Sequence, residues 1–217
     1  MKSFVAYPLD LEKFLFPAVT DKGQSGKLIV HYELFKKVSH IEGTVVKCGI
    51  AAEEGLTRLS IFRSLISSAP DQMVVAFERF NKSLFVENRD NEKGSLQYKV
   101  KRSATDLENI KETLLQKGIT GKINFVPGSL EYTIPDYLIE NPDLKISFLN
   151  IDLDDYEATL TALQFFYPRL VHGGILVFDN YYKKEEDYKA ITDYFGNSKI
   201  AINNLSVNKG PHYTIRH

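Results

Sequence analysis

The chain has one cysteine, Cys48, in 217 residues. A single thiol excludes an internal disulfide and cannot supply a cysteine-rich zinc cluster, so the expected setting is the reducing cytoplasm. Charge of either sign is not in excess: 27 basic against 28 acidic side chains leave a formal net charge of -1. No long-range field then draws the molecule to DNA, RNA or an anionic membrane, and neither kind of partner is expected. Long apolar runs are missing as well. The stretch MKSFVAYPLDLEKFLFP is cut by Pro8, Asp10, Glu12 and Lys13, too soon for a signal-peptide core or a membrane span. There is no internal repeat, and no Gly-x-Gly-x-x-Gly turn follows a strand-like run, which disfavours a nicotinamide dehydrogenase.

What is present is a composition of 43% hydrophobic and 25% charged residues, which suits one domain over 1–217 with an irregular N-terminal segment to about residue 26. Short β-branched or apolar runs alternate with amphipathic helical stretches, the pattern of a parallel sheet covered by helices, hence an α/β fold. Helical spacing is expected over Leu28–Val38, from near Gly55, over Thr105–Gln116 with Gly118 as a left-handed cap, from Pro135 to Glu140, over Tyr156–Tyr167 and over Glu185–Phe195. Strands are expected at Thr44–Gly49, Gln72–Phe77, Lys122–Val126, Asp143–Asp152 and Gly173–Asp179. IAINNLSV and HYTIRH follow as an antiparallel pair around Asn208–Pro211. The polar stretch Asn81–Lys101 reads as a long loop or lid.

In an open parallel sheet, ligands bind beyond the carboxyl ends of the strands. Standing there are Lys47-Cys48-Gly49, Glu78, Pro127-Gly128-Ser129, Asp152-Leu153-Asp154-Asp155 and Asp179-Asn180. The Glu78 carboxylate offers two oxygens in one plane to a ribose, or is simply a solvated strand end. If the strands that end at Asp152 and Asp179 are neighbours, they lie about 4.8 Å apart, and two carboxylates with the Asn180 amide oxygen can converge on one hard cation such as Mg2+. The competing reading makes Asp152 a helix cap and Asp179-Asn180 an Asx turn.

The stretch LKISFLNIDLDDYEATLTALQFFYPRLVHGGILVFDNYY (Leu144 to Tyr182) resembles the signature of the macrocin O-methyltransferase family: Asp-x-Asp-x-Tyr-Glu, a helix, Tyr-Pro-Arg-Leu, Gly-Gly and a strand ending in an acidic pair. HYELFKKV, VVKCGI and RLSIFRSL are similar to that family too, so the resemblance covers about His31 to Tyr182. It implies a class I methyltransferase fold, a Rossmann-like three-layer sandwich on a mostly parallel seven-stranded sheet with an antiparallel last strand. It also implies an S-adenosylmethionine- and Mg2+-dependent O-methyltransferase acting on a sugar hydroxyl, nucleotide-linked or glycosidic, in natural-product or polysaccharide biosynthesis, and a homo-oligomer. Carried over by position, Asp152, Asp179 and Asn180 would hold the metal, with Asn180 where the family has a second Asp. Asp154 would be the general base. Glu78 would bind the ribose of S-adenosylmethionine, Ser129 would lie by its adenine, Gly49 would let the backbone approach its methionine part, and Asp152 would border it.

Two positions depart from the family pattern: Lys47 stands where a Glu is usual, and Glu53 where a second glycine is usual. Glu53 or Glu54 is the expected counter-charge for Lys47. These departures keep open an alternative, a methyltransferase-fold protein with a degenerate cofactor site, non-catalytic or repurposed for binding. His31 has no second histidine at i+4 and reads as a packed or surface helix residue. Cys48 reads as a buried small hydrophobe. His212 and Tyr213 either cap the sheet or border an acceptor pocket.

Overall fold

Strands joined by crossover helices run parallel, because each helix carries the chain back to the same end of the sheet. In the computed structural model, which describes residues 22–50, 53–68, 73–79, 107–119, 123–182, 185–196, 198, 200–205 and 210–217, seven strands form one sheet. They are β1 (Thr44–Cys48), β2 (Val74–Glu78), β3 (Ile123–Pro127), β4 (Ile146–Ile151), β5 (Leu170–Phe178), β6 (Asn203–Asn204) and β7 (His212–Ile215). Their order is β3-β2-β1-β4-β5-β7-β6, and β7 alone runs opposite to the other six. The expected α/β fold and antiparallel last strand are therefore found.

Six helices accompany the strands among the described residues: α1 (Lys22–Val38), α2 (Glu53–Ile66), α3 (Leu107–Gln116), α4 (Leu130–Glu140), α5 (Tyr156–Phe166) and α6 (Glu185–Phe195). Alternate residues of a strand face opposite sides, so the sheet carries two cores. Val46, Phe77, Leu149 and Phe178 pack beneath α4, α5 and α6, while Val45, Ala76, Phe148 and Val177 pack beneath α1, α2 and α3. Asp155 caps α5 by accepting the Ala158 N–H at 2.9 Å, and Gly118 ends α3 at φ +72. Asp155 thus does the capping that one reading gave to Asp152. No helix among the described residues is long and apolar enough to cross a membrane.

Several boundaries differ from expectation for physical reasons. Helix α1 begins at Lys22, inside the segment expected to be irregular. Gly23, Ser25 and Gly26 weaken its propensity, but the buried stripe Val30, Leu34, Val38 docks it, and packing outweighs propensity. Pro135 lies inside α4 rather than in its first turn, since the helix starts five residues earlier at Leu130. Strand β5 starts at Leu170, which pairs with Ile146, and the Gly173 N–H and Gly174 C=O further along it pair with Arg216 at 2.8 and 2.9 Å. The IAINNLSV strand shrinks to the two residues that pair with Tyr213 and His212. The expected loop at Asn81–Lys101 and the turn residues Asn208 and Lys209 lie outside the described residues.

The link between strand order and function is Gly49, which leaves β1 between β2 and β4. Its φ is +86, and a Cβ there would stand 2.1 Å from the Asp152 carbonyl oxygen. The glycine is required by the neighbouring backbone itself, before any ligand is considered. Gly49→Ala is expected to lower the unfolding free energy by roughly 3 kcal/mol. Urea denaturation measures this, and a wild-type midpoint would refute the packing argument.

Candidate active site

The reversal of strand order beside β1 opens a crevice at the carboxyl end of the sheet. The backbone is tied one rung beyond the strands: Gly49 N–H donates to the Phe77 C=O at 2.9 Å, Asp152 N–H to Cys48 C=O at 2.9 Å, and Asp179 N–H to Ile151 C=O at 3.0 Å. Since Ile151 is in register with both Cys48 and Phe178, Asp152 and Asp179 emerge side by side from adjacent strands. The two-residue period then sets Lys47, Asn150, Asp152 and Asp179 on the face covered by α1 and α2.

Four buried polar side chains join on that face. Lys47 Nζ donates to Asn150 Oδ1 at 2.7 Å, Asn150 Nδ2 donates to Asp179 Oδ1 at 3.2 Å, and His31 Nε2, from α1, donates to the same oxygen at 2.7 Å. Lys47 and His31 are 0% exposed and Asp179 1%. Burial alone would push the Asp179 carboxyl up, but His31, Lys47 and Lys27 together hold it well below the usual carboxylate range. Lys27 Nζ, one turn before His31, lies 3.7 Å from Asp179 Oδ2. That oxygen is buried and has no hydrogen-bond partner among the described residues.

Asp152 sits at the mouth of this network. Its Oδ1 accepts from Asn180 Nδ2 at 2.7 Å, and its Oδ2 lies 3.5 Å from Lys47 Nζ. The counter-charge of Lys47 is therefore Asp152, not Glu54, which is exposed; the Glu53 side chain is outside the described set. Space for the lysine comes from Gly55 of α2, where a Cβ would meet Lys47 Cε at 2.8 Å. The Arg58 guanidinium of α2 adds another cation nearby: burial lowers its pKa, while Asp179, Glu54 and Asp152 raise it.

The remaining expected positions ring the same crevice. Glu78 closes β2, and one of its oxygens accepts the Ile50 N–H. Ser129 precedes α4 and donates to Glu131, which also pairs with Arg79 at 2.7 Å. Asp154 is exposed in the turn between β4 and α5. Beyond Asn180, Tyr181 stacks on His212 of β7 with centroids 4.8 Å apart, and Tyr182, 69% exposed, lies edge-on to both.

The sequence reading missed His31, Asn150 and Lys27. The signal available for His31 was its place on the apolar stripe of α1 with Leu34 and Val38, where a buried imidazole needs a partner from another element. Asn150 and Lys47 are direct cross-strand partners, each a polar residue inside a buried strand.

Residues 39–210 match the family described as Macrocin-O-methyltransferase (TylF). The chain belongs to the macrocin O-methyltransferase family. Among curated relatives it is 29% identical over 99 residues to the 8-demethyl-8-(2,3-dimethoxy-alpha-L-rhamnosyl)-tetracenomycin-C 4'-O-methyltransferase of Streptomyces olivaceus, a match spanning 45% of this chain and 36% of that protein. Similar solved structures include the calicheamicin methyltransferase CalS11, at 24% identity and TM-score 0.74, covering 97% of this chain and 87% of that one. The O-methyltransferase NovP follows at 20% identity and TM-score 0.66, covering 88% and 79%. At these identities the likeness establishes the class I methyltransferase fold.

Two outcomes follow from the family member's buried groups. Burial, with Glu78 adding to it against Lys47, pushes the Cys48 thiol up to about 12, so it is neutral and enclosed. Native protein should give no reaction with a thiol reagent at pH 8, and one equivalent after denaturation. Lys47→Met should cost about 3 kcal/mol, because it strips a donor from Asn150 and a cation from Asp152, and Lys47→Glu should cost more. Chemical denaturation measures both, and wild-type stability in Lys47→Met would contradict the pairing.

Proposed function

We propose that the protein is an S-adenosylmethionine-dependent O-methyltransferase that modifies a sugar hydroxyl with the help of Mg2+. The observation that carries this reading is the pair of carboxylates, Asp152 and Asp179, held side by side at the ends of β4 and β5 with Asn180 bonded to the first. The donor chemistry fits a hard divalent ion: Asp179 Oδ2 is a buried oxygen with no hydrogen-bond partner among the described residues, and a cation, the Lys27 ammonium, already stands 3.7 Å from it. Among the described residues no group of three or more His, Cys, Asp or Glu side chains is arranged for a metal, so the site depends on the Asn180 amide oxygen as its third donor.

Asp152, Asp179 and Asn180 would hold the ion, which when bound supplies a positive charge that lowers the pKa of an acceptor hydroxyl. Asp154, exposed beside the crevice, would accept the hydroxyl proton, and S-adenosylmethionine, when bound, would supply the methyl group and leave as S-adenosylhomocysteine. The second Glu78 oxygen holds the ribose of the donor, Ser129 borders its adenine, and Gly49 borders its methionine part. The exposed face of Tyr182 offers an apolar surface to a sugar ring. Relatives support the acceptor class: the Streptomyces olivaceus enzyme is named for a rhamnosyl substrate, and an apo CalS11 structure, TM-score 0.70 and 21% identical, is described as a TDP-rhamnose 3'-O-methyltransferase.

A second reading has one observation in its favour. Lys47, a buried cation two residues before Gly49, stands near where a sulfonium would lie, so a protein that binds the neutral product but not the donor is its natural form. Calorimetry with S-adenosylmethionine and S-adenosylhomocysteine separates the two, since donor binding with methyl gain on TDP-rhamnose by mass spectrometry supports the enzyme. Absence of donor binding at millimolar concentration supports the repurposed fold.

In the enzyme, Asp154→Asn should reduce kcat by about 10²–10⁴-fold with unchanged affinity for S-adenosylhomocysteine. Tyr182→Ala should raise the acceptor KM by roughly five- to tenfold at similar kcat. Steady-state kinetics checks both, and an unaltered Asp154→Asn rate would remove that residue from the chemistry.

A further inference from the structure

Asp179 carries two inequivalent oxygens. Oδ1 receives His31 Nε2 at 2.7 Å and Asn150 Nδ2 at 3.2 Å, whereas Oδ2 is buried without a hydrogen-bond partner among the described residues and lies 3.7 Å from the Lys27 ammonium, beyond hydrogen-bond reach. The terminal torsion of an aspartate is broad and nearly two-fold, so nothing in the residue itself decides which oxygen takes the donors. Two donors on one oxygen decide it. Of these, Asn150 is the longer bond and its amide is already tied to Lys47, so the short bond from α1 is the stronger restraint.

We propose that His31 is a positioning residue of the cation site: by fixing Asp179 Oδ1 inward, it presents Oδ2 alone to a divalent ion. The inference rests on the reading of Asp152, Asp179 and Asn180 as ion ligands, and it adds a residue that touches neither ion nor substrates. His31 is wholly buried in α1, and its ring nitrogen Nδ1 has no hydrogen-bond partner among the described residues, so Asp179 is the polar contact that accounts for a histidine on this apolar stripe. Lys27, on the same helix and 17% exposed, stands 3.7 Å from the unbonded oxygen as a cation that an entering ion would replace. Residues that orient a ligand in this way commonly alter metal affinity by 10–100-fold when replaced.

The test is a Mn2+ titration of the full chain, with free Mn2+ followed by electron paramagnetic resonance, on wild type, His31→Leu and His31→Gln. Glutamine reaches as far as the imidazole Nε2 and restores an N–H at that point. His31→Leu should bind Mn2+ about 10–100-fold more weakly, His31→Gln should return to within about threefold of wild type, and S-adenosylhomocysteine affinity by calorimetry should be the same in all three. Should His31→Leu fail to fold, His31→Asn, too short to reach Oδ1, carries the same expectation. Wild-type Mn2+ affinity in His31→Leu or His31→Asn would overturn the positioning role while leaving the ion site standing. Failure of wild type itself to bind Mn2+ at millimolar concentration would overturn the ion site, and the positioning role with it.

Discussion

A single negative charge, that of Asp179, is withdrawn from water in the middle of the site, and much of the local architecture exists to accommodate it. An isolated carboxylate costs several kcal/mol to bury, and the chain offsets that cost from three directions. Helix α1 supplies His31 and Lys27, β4 supplies Asn150, and Lys47 of β1 reaches it through Asn150. Strands β1 and β4 are joined by backbone hydrogen bonds, but α1 meets the sheet through apolar packing, which sets distance more than orientation. The polar chain fixes how they sit against one another at the carboxyl edge of the sheet.

The same network gives meaning to the chain's departure from its family pattern. A lysine at the end of β1 looks, in sequence, like a charge placed against a sulfonium. In the fold its ammonium turns sideways to Asn150 and Asp152, in room left by Gly55, so its field is partly neutralised before it reaches the crevice. Lys47 and Gly55 are a matched pair, one long and one absent side chain, and neither is intelligible without the other.

The strand ends were legible in the sequence because buried parallel strands are short apolar runs with abrupt polar termini, and Gly49, Glu78, Asp152 and Asp179 are such termini. Family membership was legible from Leu144–Tyr182, where motif residues follow one another at fixed spacing. The side-chain partners were not. His31 and Asp179 are 148 residues apart in sequence, and a helix pattern reports that a residue faces inward without saying what it meets. Asn150 was concealed for the opposite reason: one amide among apolar neighbours barely disturbs the pattern of a central strand. The start of α1 was lost because its glycines and serine argue locally against a helix that is held by tertiary contact.

Helix α1 lies wholly before residue 39, where the family match begins, yet it delivers both Lys27 and His31 to Asp179. A fragment trimmed to the matched region would keep β1 to β6 and the Leu144–Tyr182 signature but lose α1 and β7. It would also inherit an enclosed anion stripped of two compensating groups, at a cost of about 3–5 kcal/mol against the 5–15 kcal/mol that holds an ordinary domain together. The boundary drawn by shared motifs and the boundary of the smallest unit able to fold are, in this molecule, different places.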